Sequence, residues 1–81
     1  MDFEHYMDVV LTRDLPEENL RAGDIGTIVE RHAVVGLETG YSVEFFDMLG
    51  QTVAVVTVPT SWLRVPAHTD RPAVRPLLAV A

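Results

Sequence analysis

Hydrophobic and polar positions alternate with a period of two over several short stretches of this chain, and turn-forming residues separate them. Such alternation marks half-buried strands, whose successive side chains point to opposite faces. The first stretch, residues 8–13 (D-V-V-L-T-R), sends Val9 and Leu11 one way and Val10 and Thr12 the other. The second, residues 23–32 (G-D-I-G-T-I-V-E-R-H), opens on a Gly-Asp turn and runs into β-branched residues. Gly26 inside it marks a bulge or a close backbone approach. The third, residues 41–46 (Y-S-V-E-F-F), alternates most cleanly, with Tyr41, Val43 and Phe45 on one face and Ser42, Glu44 and Phe46 on the other. Asp47-Met48-Leu49-Gly50 turns the chain, and residues 51–58 (Q-T-V-A-V-V-T-V) return as a fourth strand, so the two form a hairpin. Pro59-Thr60-Ser61-Trp62 suits a single 3₁₀ turn, and residues 63–65 give a brief fifth strand.

Residues 14–22 (D-L-P-E-E-N-L-R-A) carry a proline, two glutamates and an asparagine and read as an excursion loop rather than a helix, with Leu15 and Leu20 tucking its two ends into the core. The resulting fold class is all-β: a five-stranded SH3-like small barrel with one 3₁₀ turn before the last strand and an irregular C-terminal tail. Residues 1–65 are the barrel domain and residues 66–81 the Pro-rich tail, punctuated by Pro66, Pro72 and Pro76. The tail is not expected to join the barrel, and Leu77, Leu78 and Val80 are candidates for docking on a neighbour. The predicted core comprises Val9, Leu11, Leu20, Ile25, Val29, Val43, Phe45, Val55 and Leu63.

With 81 residues the chain is too short to divide into two independently packed cores, and its 48% apolar content suffices for one. The absence of cysteine removes disulfides, thiolate nucleophiles and thiolate metal sites, and makes the reducing cytoplasm the expected compartment. No cationic segment followed by an apolar stretch opens the sequence, and the longest apolar run, residues 53–58, is far too short to span a bilayer. Six basic residues, all arginine, face twelve acidic ones for a net charge of −6. Without the tail, four arginines face eleven acids, a net −7. A negative surface repels phosphate backbones and attracts basic partners.

Candidate chemistry is sparse. His5, His32 and His68 lie on the N-terminal segment, a strand end and the tail, with no second ligand at a metal-binding spacing. Neither Ser42 nor Ser61 sits in a G-x-S-x-G elbow. A barrel this small has no interior left for a substrate once its own side chains fill it. The sequence therefore predicts no catalytic residues, no cofactor and no metal.

The opening D-V-V-L-T-R-D-L-P-E, the central L-R-A-G-D-I-G-T-I-V-E and the late Y-S-V-E-F-F-D-M-L-G-Q-T-V-A-V-V-T-V together resemble a bacterial family known as domain of unknown function 4926, over roughly residues 8–65. The resemblance implies a short bacterial protein of SH3-like type with no established activity, and points to an antitoxin or immunity role. It gives no guidance on residues 33–40 or the tail. The stretch G-D-I-G-T-I-V-E is also similar to the KOW element of ribosomal and transcription-factor barrels, but a Gly-Asp turn before a β-branched strand is a general way to build such a barrel. No basic stripe or aromatic platform accompanies it, so nucleic acid is disfavoured.

Two groups are candidate protein-binding residues. Asp14, Glu17, Glu18 and Asp24 form an acidic loop suited to steering a basic protein; the plainer reading is a solubilising rim. Trp62, the sole tryptophan, is either an exposed anchor or core packing against the first loop. Tyr41 and Tyr6, near strand ends, are candidates to extend either surface. Three function classes follow: an acidic protein-binding module covering a basic partner, a structural barrel that forms homo-oligomers through its edge strands, and a KOW-like nucleic-acid-associated barrel.

Overall fold

The computed structural model describes residues 3–77 of the chain. It contains five antiparallel strands, β1 (Asp8–Leu11), β2 (Ile25–His32), β3 (Gly40–Phe46), β4 (Thr52–Pro59) and β5 (Leu63–Arg64), in the sheet order β4-β3-β2-β1-β5. Pairing of the first strand with the last curls this single sheet into a half-barrel, which is the all-β architecture that the alternation predicts. A 3₁₀ turn, Thr60–Trp62, precedes β5 as expected. A second one, Pro16–Glu18, lies inside the excursion loop. Pro16 starts it because proline has no N–H to lose there, and Asn19 ends it in the left-handed conformation that asparagine tolerates.

The concave face encloses Val9, Leu11, Leu20, Ile28, Tyr41, Val43, Phe45, Val58 and Leu63. The strand Gly40–Phe46 lies at its centre, with Tyr41 and Val43 completely shielded. Phe3 joins them from outside the sheet. Its ring meets that of Tyr41 edge-on at 5.2 Å, and its N–H donates to the Tyr41 hydroxyl at 2.9 Å. Nothing in the strand periodicity signals this contact, since Phe3 precedes the first strand.

Three expected core residues lie elsewhere. Ile25 is 51% exposed and Val55 is 57% exposed, both on the convex face, and Val29 is half-buried at a β-bulge between Ile28 and Glu30. The inward positions of β2 are Gly26 and Ile28, and those of β4 are Ala54, Val56 and Val58. The parity of β2 is hidden in the sequence because one inward position is a glycine, which contributes no apolar signal. That of β4 is hidden because valines occupy both faces. Val10 points away from the core as expected but is nonetheless buried, in register between Ile25 and Arg64.

Gly26 makes the close approach that its place in a strand suggests. A Cβ there would stand 2.5 Å from Val43 Cγ1 and 3.0 Å from the Glu44 carbonyl oxygen. The tail adds no strand over residues 66–77. Leu77 is 71% exposed, whereas Leu78 and Val80 lie outside the described residues.

This register predicts a sharp contrast. Phe45→Ala should cost about 3–5 kcal/mol, whereas Val55→Ala should cost no more than about 1 kcal/mol. Chemical denaturation of the two variants checks this, and equal losses would place β4 in the opposite register. Gly26→Ala should destabilise by roughly 1–3 kcal/mol through overpacking, although alanine is otherwise a mild change.

Candidate functional site

The ladder between β1 and β2 continues past its last paired residues and fixes the base of the first loop. Leu11 N–H donates to the Asp24 carbonyl at 2.9 Å, and Gly23 N–H donates to the Leu11 carbonyl at 2.7 Å. Gly23 has φ +99°, a conformation that favours glycine and lets the chain turn back into β2. Leu15 and Leu20 exchange both backbone hydrogen bonds, at 2.9 and 3.1 Å, and pinch the loop shut around Pro16–Glu18. Leu20 is buried and Leu15 packs against the core, so both ends of the excursion are anchored as the sequence suggests.

Its four acidic residues divide into two pairs with different roles. Asp14 Oδ1 accepts the Ala22 N–H at 2.9 Å, and Asp24 Oδ2 accepts the Arg21 N–H at 2.9 Å. These carboxylates close the loop, a use of aspartate common wherever a short side chain replaces a backbone acceptor. Glu17 and Glu18 are exposed, and their carboxylates make no hydrogen bond or ion pair among the described residues. They are presented to solvent on a framework that the aspartates hold in place.

Trp62 combines the two roles considered for it. The residue is half-buried against the core, and it lines a cleft of about 280 Å³ with Leu15, Pro16, Glu17 and Glu18. The Arg13 guanidinium lies 4.3 Å from its ring centroid, a cation–π contact. Thr12 N–H donates to the Trp62 carbonyl at 2.8 Å, which ties the start of the loop to the 3₁₀ turn. Tyr41 does not belong to this surface. It is fully enclosed in the core, where the edge of the Phe3 ring and the hydroxyl contact with Phe3 occupy it. Tyr6 is 76% exposed but sits on the N-terminal segment before β1.

Two features were not foreseen from the sequence. On the convex face, His32 Nε2 lies 2.8 Å from Ser42 Oγ, Ser42 Oγ lies 2.9 Å from Thr57 Oγ1, and His32 Nδ1 lies 3.8 Å from Glu30 Oε2. The order of contacts is that of an acid, a base and a hydroxyl. However, Ser42 is enclosed between neighbouring strands and borders neither cleft of the first loop, so the chain of contacts serves as a cross-strand polar ladder. The other feature is the tail. Asp70 is gripped by both guanidinium nitrogens of Arg64, at 2.8 and 2.9 Å, and accepts the Ala67 N–H at 2.7 Å. Arg75 Nη2 reaches Asp24 Oδ2 at 2.6 Å. Each pair joins a tail residue to a residue in or beside a strand, Arg64 in β5 and Asp24 just before β2, and alternation, which reports only which face a strand residue takes, gives no sign of either contact.

Among the described residues no group of three or more His, Cys, Asp or Glu side chains could hold a metal ion, and no helix is long and apolar enough to cross a membrane. Residues 6–65 match the family described as Domain of unknown function (DUF4926), and the chain belongs to that family. The match covers all five strands and the first loop and stops at the start of the tail. No curated protein and no solved structure matches the chain.

The hydrogen bonds from Arg64, followed by that from the Ala67 amide, hold the Asp70 carboxyl down at about 2. A carboxylate depressed in the folded state stabilises it above the unfolded value near 3.9, and that stabilisation disappears as pH falls through the folded value. The turn at residues 66–70 should therefore persist at pH 4 and loosen only as the pH approaches about 2. Carboxyl ¹³C titration by NMR checks this, and Arg64→Gln should move the Asp70 midpoint up toward the ordinary carboxylate range. A midpoint near 4 in the unaltered protein would show that the Arg64 clamp does not form in solution.

Proposed function

We propose that this protein is a non-catalytic, acidic protein-binding module whose first loop engages a basic partner in the cytoplasm. The observation that carries this reading is the division of labour within the loop: the Asp14 and Asp24 carboxylates accept backbone amides, while those of Glu17 and Glu18, without a partner among the described residues, line the Trp62 cleft. Such an arrangement pairs a rigid negative surface with a half-buried aromatic, the combination in which charge sets the encounter and an anchor sets the lifetime. Rigidity matters because a loop that is already ordered loses little entropy on binding. An antitoxin or immunity protein that covers a basic effector is the biological role most consistent with this chemistry and with the resemblance to a bacterial family.

A second reading has one specific observation in its favour. Strand β4 lies at the edge of the sheet, carries no charged residue over Thr52–Pro59 and exposes Val53 and Val55. Edges of this kind pair with other strands unless something covers them. The acidic loop is the better supported site, because charge and cleft coincide there and the net charge opposes self-association.

The free glutamates make the reading testable. A deca-arginine peptide titrated at about 0.05 and 0.5 M salt should bind more tightly at the lower ionic strength. At low salt Glu17→Gln with Glu18→Gln should weaken binding about 3- to 10-fold, chiefly through the association rate, while stability stays within about 0.5 kcal/mol. The charge-matched pair Glu4→Gln with Glu30→Gln, away from the loop, should change binding less than about twofold. Equal effects of the two pairs would reduce the loop to a solubilising rim. Salt-sensitive binding to a random DNA duplex at micromolar concentration would favour the KOW-like reading instead.

A further inference from the structure

Residues 71–77 read R-P-A-V-R-P-L, two Arg-Pro pairs four positions apart. Proline fixes its own φ and pushes the preceding residue toward extended backbone, so such a segment keeps close to a polyproline II path. No helix or strand forms over residues 71–77. The segment leaves the barrel from a fixed turn, because Arg64 and the Ala67 amide hold Asp70. Arg71 folds back into that turn, its Nη1 donating to the carbonyls of His68 and Asp70 at 3.0 and 2.9 Å.

The next arginine reaches the first loop. Arg75 Nη2 lies 2.6 Å from Asp24 Oδ2, a contact between residues 51 positions apart. Pro76 and Leu77 follow it and, with Asp14, Pro16 and Leu20, line an open groove of about 200 Å³ between tail and loop. The tail therefore sets an arginine on a carboxylate, then a proline and an aliphatic side chain across an open groove from a proline and a leucine. Opposite charges meet at one end of this line, and apolar residues line the groove from both sides.

We infer that the flank of the first loop from Asp24 to Pro16 is a receptor for an extended segment with arginine followed by proline, and that Arg75, Pro76 and Leu77 cover it in cis as a tethered competitor. The inference rests on the acidic-module reading and deepens it by naming the chemistry of the partner's docking segment. Residues 71–77 are all exposed, so their hold on the groove is weak. A short tether nevertheless supplies an effective concentration in the millimolar range, on the order needed to make the tail the resting occupant. A partner segment with the same chemistry and additional contacts displaces it, and its apparent affinity is reduced by the fraction of grooves the tail fills.

The probe is a capped peptide with the sequence of residues 71–77, titrated into the ¹⁵N-labelled full chain and its variants. Arg75→Ala frees the groove, and Asp24→Asn removes its charge while leaving an oxygen to accept the Arg21 N–H. The peptide should shift the amides of Arg21, Ala22 and Asp24 and bind the Arg75→Ala chain at least about 3-fold more tightly than the unaltered chain. Adding Asp24→Asn should abolish those shifts, and a peptide with both prolines changed to alanine should bind roughly 3-fold more weakly or worse. Equal affinity for the Arg75→Ala and unaltered chains, or equal binding of the alanine peptide, would overturn the proposal. If the peptide fails while deca-arginine binding still depends on Glu17 and Glu18, the groove assignment falls alone. If that dependence is also missing, the acidic-module reading falls with it.

Discussion

Gly26 stands at the middle of the sheet's inner surface, opposite Val9 on one neighbouring strand and Phe45 on the other. The close packing of β2 on β3 at this point depends on its having no side chain. Any Cβ at this point would press on Val43 and on the backbone of Glu44, the strand that forms the floor of the core. On the other side of β2, β1 pairs with β5, and its Val9 and Leu11 reach the centre of the core. The same pairing sets where the first loop begins and ends, since the contacts of Leu11 with Gly23 and Asp24 extend the β1–β2 ladder by a step. The acidic surface is thus anchored to the β1–β2 ladder, two residues from Gly26.

The loop built on that base separates two uses of negative charge. Aspartate, with its short side chain, reaches backbone amides within the loop, and Asp14 and Asp24 do so. Glutamate is longer and pays more rotamer entropy to be held, so Glu17 and Glu18 remain at the solvent-facing tip. Asp24 carries a second duty as acceptor for Arg75, which couples the loop to the tail through one carboxylate. Loss of its charge would therefore be felt in both loop and tail, whereas loss of the glutamate charges would be felt only by a partner.

The sequence is most legible where one face of a strand is buried and the other is wet. The strand with Tyr41, Val43 and Phe45 alternates cleanly because its outward residues Ser42 and Glu44 are polar, although Ser42 is enclosed by its neighbours, and its inward face is the one predicted. Alternation loses its meaning where a glycine holds an inward place, as at Gly26, or where valines cover both faces, as in β4. For those reasons alternation puts Ile25 and Val55 in the core, whereas both lie on the convex face. The acidic loop itself was readable from composition, but the distinction between structural aspartates and free glutamates was not, because it depends on which amides lie within reach of each side chain. Tyr41 illustrates the opposite failure: an aromatic near a strand end looks available until Phe3, from a segment with no strand pattern, covers it. The Arg75–Asp24 contact was out of reach of any local signal, since the tail's path is set by the clamp between Arg64 and Asp70.

Everything proposed for recognition requires that the first loop be ordered before a partner arrives. Amide hydrogen exchange measures this directly, residue by residue. The amides of Leu15, Leu20, Arg21, Ala22 and Gly23 are each bonded within the loop or to its base. Their exchange is expected to be slow, within roughly tenfold of the β1 and β2 amides, and much slower than that of the fully exposed Val35 in the connector between β2 and β3. Exchange of those five amides as fast as that of Val35 would show a loop that orders only on binding, and would contradict a pre-formed acidic recognition surface.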